Sequence, residues 1–301
     1  MAFLIRIREL AKSHGQALKV CSDLVNQYKI VPTTEVSIDF TNCNFIYPDY
    51  AMLLLCTIKY LESLGYVVSG RIYVQQSSLP ANYLAGMKFF EELKVQLPFS
   101  VDKGNDETSV QIQKYTRQNQ ITVLHSFLGI LRKKASMHEN VYVSLDYCLN
   151  EILDNVLNHS EQNEGWIAAQ YFSTLNTIRL IVCDYGIGVH KSLSKAFTFT
   201  EEEAILKCIE EGVTKGGGQG HGLYATAEFI KLNRGWMSIF SGNKTLSVSE
   251  NETAVKDIDY WQGTCVYIRI NTNVDVDYTS FTSKFYDYKK QVYEDLFGDR
   301  E

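Results

Sequence analysis

Five glycines fall within residues 216–222, in the stretch Thr214-Lys-Gly-Gly-Gly-Gln-Gly-His-Gly222, and a helical pattern starts directly behind them. A backbone so free of Cβ atoms can come very close to a ligand. Free N–H groups at a helix N-terminus hold phosphate without needing cationic side chains, and Lys215 can add charge. A flexible linker has a similar composition, but a helix beginning at Gly222 argues against one. The Walker A pattern is absent, and no strand feeds the run as a dinucleotide fingerprint requires.

Two further signals precede it. In Ser144–His159, apolar residues 145, 148, 149, 152, 156 and 157 recur at helical spacing, while Glu151, Asn155 and Asn158 share another face. A carboxylate there can take a proton from water, and an amide oxygen suits Mg²⁺. A solvated polar face gives the same pattern. Residues 178–183 (IRLIVC) read as a strand running into Asp184-Tyr-Gly186-Ile-Gly188. An aspartate ending a buried strand can accept a hydrogen bond from an amino group such as that of adenine, although an ordinary Asx turn would look alike. A fourth piece, Gly263-Thr264, leads into an alternating strand.

The order and spacing of these pieces over residues 115–272 resemble the GHKL ATPase superfamily: DNA gyrase, the ninety-kilodalton heat-shock chaperone, histidine kinases, MutL proteins and anti-sigma serine kinases. The resemblance implies Mg-ATP binding with Mg²⁺ on Asn155. Glu151 matches the acid that polarises the attacking water or hydroxyl, and Asp184 the residue that receives the adenine amino group. Gly186 and Gly188 match the glycines on which the nucleotide lies. Gly218, Gly220, His221 and Gly222 fall in the phosphate-holding box, and Thr264 matches the threonine on the adenine side. Residues 190–217 take the place of a mobile ATP lid, with its helix at 201–212 and Lys215 near the terminal phosphate.

The first hundred residues alternate strand and helix: strands at 35–40 and 71–74, helices at 50–64 (closed by Gly65) and 81–93. They resemble a STAS-like domain of the anti-sigma antagonists. Its phosphoacceptor position reads Tyr47-Pro48-Asp49-Tyr50, which offers a fixed charge and no evident acceptor. The expected fold is therefore α+β: a STAS-like domain (1–108), a GHKL two-layer sandwich of the Bergerat type with a lid (109–275), and a helical tail (276–301). Helices are expected at 119–134, 144–159, 201–211 and 222–232, and strands at 166–172, 177–183, 236–241 and 264–270.

Net charge of −6 argues against a broad nucleic-acid footprint. Seven cysteines without a regular framework favour a reducing cytoplasm over secretion, with Cys56, Cys148 and Cys183 as core residues. The start is a poor signal peptide, and no apolar stretch reaches the roughly 18–20 residues that span a bilayer. Some thirty residues after the ATPase pattern leave little room for a topoisomerase or chaperone architecture. The expected function is an ATPase or ATP-gated switch acting on a regulatory protein partner, with a homodimer left open. A serine- or histidine-type kinase and a nucleotide-sensing module are the alternatives. His125 lacks the acid and proline that accompany a phosphoacceptor histidine, and the histidines lack zinc spacing.

Overall fold

The computed structural model describes residues 2–7, 13–73, 79–97, 108–213 and 222–277, with 279 and 281. The first unit is a parallel sheet, β1 (Ala2–Arg6), β2 (Glu35–Asp39) and β3 (Ser69–Tyr73), in that order, connected by α1 (His14–Ile30) and α2 (Pro48–Ser63). Ile5, Ile38 and Ile72 lie in register, on the face that the helices cover. Ser13 caps α1 by accepting from the Gln16 amide at 3.2 Å. Pro48 starts α2 where no helical N–H is lost. At the other end Gly65, at φ +85°, donates to the Glu62 carbonyl while the Tyr66 amide reaches the Leu61 carbonyl. This is the Schellman closure expected from Gly65.

Twelve of the sixteen residues of α2 are buried, and a helix apolar all round must be covered on both sides. The second cover is a five-stranded antiparallel sheet, built from β4 (Ser109–Thr116), β5 (Glu164–Phe172), β6 (Thr177–Cys183), β7 (Trp236–Val248) and β8 (Thr253–Asn271) in the order β4-β5-β6-β8-β7. Trp166, Ile181, Cys183, Phe240, Cys265 and Tyr267 join the first unit in one continuous core. Their neighbours along the strands, Ile167, Leu180, Val182, Ile239, Val266 and Ile268, face the opposite way. They pack with α5 (Gln120–Lys134), α6 (Glu139–His159) and α9 (Gly222–Leu232). The chain is thus layered sheet, helices, sheet, helices. The sequence reading gave the two units only in succession along the chain and did not foresee that α1 and α2 would cover the free face of the second sheet.

That junction also takes in Asp49. It is 1% exposed and meets His14 Nε2 at 2.5 Å. The His14 ring lies 4.7 Å from Tyr267 and 5.2 Å from Phe240. The carboxylate expected as a displayed fixed charge is therefore buried.

Other expectations shift. The helix at 81–93 is split into α3 (Leu79–Gly86) and α4 (Phe89–Glu92), because Lys88 adopts φ +63° between them. The acid-amide helix α6 starts at Glu139, ahead of Ser144. The helix at 201–211 stops at Lys207 and is α8; α7 (Gly188–Leu193) precedes it. Strands β7 and β8 run past 241 and begin before 264, forming a long hairpin. Strand β1, helix α1 and strand β4 were not anticipated. The 100–108 boundary lies outside the described residues except for Thr108, and the tail helix except for Thr279 and Phe281. Cys56, Cys148 and Cys183 are fully buried and free, with the Cys148 and Cys183 thiols pushed up by burial, as inert core residues are. Among the described residues no helix is long and apolar enough to cross a membrane.

Candidate functional site

Strand β6 delivers Asp184 to the end of the second sheet, beside Thr264 on β8. The Asp184 amide donates to the Thr264 carbonyl at 2.9 Å, extending the β6–β8 ladder. The carboxylate turns back on this frame. Its Oδ1 accepts from the Gly186 amide at 2.7 Å and the Thr264 amide at 3.2 Å. Its Oδ2 accepts nothing among the described residues. Burial pushes this carboxyl up to about 7, and the two amides pull in the opposite direction.

The turn that follows has no room for side chains. A Cβ on Gly186 would overlap the Ser160 backbone just past α6, and one on Gly188, at φ +77°, would lie 2.7 Å from Ser241 Oγ. The Ile187 amide donates to the Ser160 carbonyl at 2.9 Å. A Cβ on Gly263 would sit 2.7 Å from Asp184 Oδ1. The turn is therefore wedged between the end of α6 and two strands.

Glu151 and Asn155 lie one turn apart on α6, both half-buried. Gly222, the first residue of α9, comes directly against them. A Cβ there would lie 2.8 Å from Asn155 Nδ2 and 3.0 Å from Glu151 Oε2. The start of the helix behind the glycine run thus abuts the acid-amide pair. Asn158 does not join them: it is exposed, and its side-chain oxygen accepts from Arg117 at 2.9 Å. His159 is the last residue of α6. His125 is exposed on α5.

One α-helix carrying an acid and an amide, a buried aspartate between a glycine turn and the Gly263-Thr264 step inside β8, and a helix N-terminus against the first pair form one set. Residues 140–274 match the family of histidine kinase-, DNA gyrase B-, and HSP90-like ATPases. A comparison with curated proteins returned no match. The matched stretch starts inside α6 and ends just past β8, so it contains Glu151, Asn155, Asp184, Gly186, Gly188, Gly222 and Thr264. A domain of this ATPase family implies ATP binding. The matched stretch leaves out β4 and α5, which complete the sheet and its helical layer, whereas the sequence reading began the resemblance at about residue 115.

Of the expected residues, the fold brings Glu151, Asn155 and Gly222 together, and Asp184, Gly186, Gly188 and Thr264 together. Lys215, Gly218, Gly220 and His221 lie outside the described residues, as do positions 214–217 of the expected lid. Ser160 and Ser241 were missed. Ser241-Gly242-Asn243 interrupts a strand with small polar residues, the pattern that signals a bulge, and it was the available clue.

Proposed function

We propose that the protein binds Mg-ATP between α6, the Asp184–Gly188 turn, Thr264 and the start of α9, and that binding switches how the chain meets a regulatory protein partner. The observation that carries this reading is the contact of Gly222 with Glu151 and Asn155. It sets a helix start beside an acid and an amide side chain, surroundings that suit a metal-bound phosphate. Asp184 fits the other end of the ligand. With Oδ1 held by two amides, Oδ2 is the acceptor for an exocyclic amino group, and rejection of a purine lacking that donor follows. Gly186 and Gly188 let the base lie on the turn. The amide oxygen of Asn155 would hold Mg²⁺, which binds phosphates through one or two protein oxygens and water. Glu151 takes the proton of the attacking water or hydroxyl. Lys215, Gly218, Gly220, His221 and Gly222 hold the phosphates in this reading, and residues 190–217 act as the lid. The β1–β3 unit with α1 and α2 is read as STAS-like, supported by its parallel sheet and the strand-to-helix passage at 35–58.

Incubation with γ-labelled ATP and Mg²⁺, alone and with lysate, tests the reading. Free phosphate identifies an ATPase. Label on this chain or on another protein identifies a kinase, and tight binding without turnover a sensor. Absence of ATP binding defeats the proposal. Gly222→Val is expected to weaken ATP binding by roughly tenfold or more and to cost about 1–3 kcal/mol of stability through overpacking against α6. Calorimetric titration and denaturant melts read both, and parental affinity would place Gly222 outside the pocket.

A further inference from the structure

Between the glycine turn and residue 213 the chain forms α7 and α8 and packs a small apolar cluster of its own. Val189, Leu193 and Ala204 are buried there against Phe197, Phe199 and Val213. The segment meets the body of the fold through Ile205, which enters the core with Leu246 and Val248, and through polar bonds to Ser241 and Asn243 of β7. Ser241 Oγ, buried, accepts from the Val189 amide at 2.8 Å. The Asn243 amide donates to Glu201 Oε1 at 2.7 Å, and Asn243 Nδ2 to Glu201 Oε2 at 3.3 Å. Gly242 lies between them at φ +61°, where a Cβ would overlap the Glu201 carboxylate.

The β7–β8 register shifts on both sides of Gly242. Such a bulge takes amides out of the ladder and turns them to another partner. Here the partner is a carboxylate from a different element, and the bulge is shaped so that only glycine admits it. The start of α8 is fixed independently. Thr200 and Glu203 form a reciprocal capping box, so the helix begins directly at Glu201. Lys244 adds an ion pair to Glu202 at 3.1 Å, but Glu202 is largely exposed and the pair is weak.

We propose that Ser241-Gly242-Asn243 is a seat that holds the starts of α7 and α8 in register with the nucleotide turn, and that Glu201 is a positioning residue of the site. The inference rests on the ATP reading above for its consequence and on geometry alone for the seat. Ser241 sets where Gly188 and Val189 lie, and Asn243, two residues on, sets where α8 starts. Loss of the Glu201 contact frees α8 from the strand that carries the turn, and a nucleotide covered by this segment then leaves faster.

The test uses the full chain with Glu201→Ala, Glu201→Gln and Gly242→Ala. Trypsin cutting at Lys195 and Lys207 without nucleotide reads the seat. Stopped-flow release of a fluorescent ATP analogue reads the site. A hydrogen bond to a charged group is strong enough for Glu201→Ala to speed both by roughly tenfold. Glu201→Gln keeps an oxygen for the Asn243 amide and should restore release to within about threefold of the parent. Gly242→Ala should match Glu201→Ala, and the double variant should add little, because the two changes break one contact. A merely structural role would lower the melting temperature without the Gln rescue of release. Parental cutting rates in Glu201→Ala overturn the seat, whether or not ATP binds. Faster cutting with parental release overturns the role in the site. If the parent does not bind ATP, the pocket reading fails and the proteolysis alone decides the seat.

Discussion

Glu151→Gln is expected to lower ATP turnover by roughly 10²–10⁴-fold while leaving Mg-ATP affinity within about threefold, because general-base catalysis contributes on that scale. Gln keeps the shape and hydrogen-bonding reach of the acid but cannot hold a proton. Glu151 is half-buried on α6, one turn from Asn155 and against the first residue of α9. A group acting on the reaction alone changes kcat and not binding, whereas Asn155→Ala should weaken Mg²⁺-dependent affinity. Measuring kcat and the dissociation constant in both variants separates the roles. Parental turnover in Glu151→Gln would remove Glu151 from the chemistry.

The second large effect belongs to Asp184. Burial raises this carboxyl from about 3.8 to about 7. Between those values the folded chain keeps a proton that the unfolded chain has lost. Stability from this group is therefore greatest at low pH, falls as pH climbs from about 4 to about 7, and is level beyond. The loss amounts to roughly 4 kcal/mol at 1.36 kcal/mol per unit. Asp184→Asn has no proton to release, so the parent-minus-variant difference in unfolding free energy should decline between pH 4 and 8. ATP binding runs the other way. Only the carboxylate accepts the adenine amino group at Oδ2, so affinity should rise with pH up to about 7 and then level, while the Asn variant stays flat and loses its preference for ATP over GTP. Parallel pH curves for the two proteins would contradict the assignment.

The local geometry of both clusters was legible because it depends on near neighbours in the chain. Glu151 and Asn155 share a face by helical spacing alone, and Asp184 ends an apolar strand in a turn that needs glycine. Gly65 announced its cap in the same way. Helix α1 was legible too: buried residues 17, 18, 21, 24, 25 and 28 repeat at helical spacing behind Ser13, and β4 alternates. Neither was drawn from the sequence. The packing of α1 and α2 on the second sheet joins residues over a hundred positions apart, which no local pattern encodes. Its trace is that 178–183 is apolar at nearly every position, as a strand covered on both faces must be. The seat at Ser241–Asn243 needs Glu201 to be intelligible, and nothing in the spacing links the two.

The double cover of α2 has a consequence for how the chain is made. Cys56 and its neighbours are synthesised roughly two hundred residues before Cys265 and Tyr267, which complete their surroundings. At about 5–20 residues per second, an apolar helix waits on the order of ten seconds or more for its second face, and the pairing it waits for is of the slow, non-local kind. During synthesis the nascent amino-terminal half exposes the surface that, in the finished protein, backs the second sheet. Chaperone capture and aggregation at that stage should therefore centre on α2, long before the residues of the proposed nucleotide site have all been made.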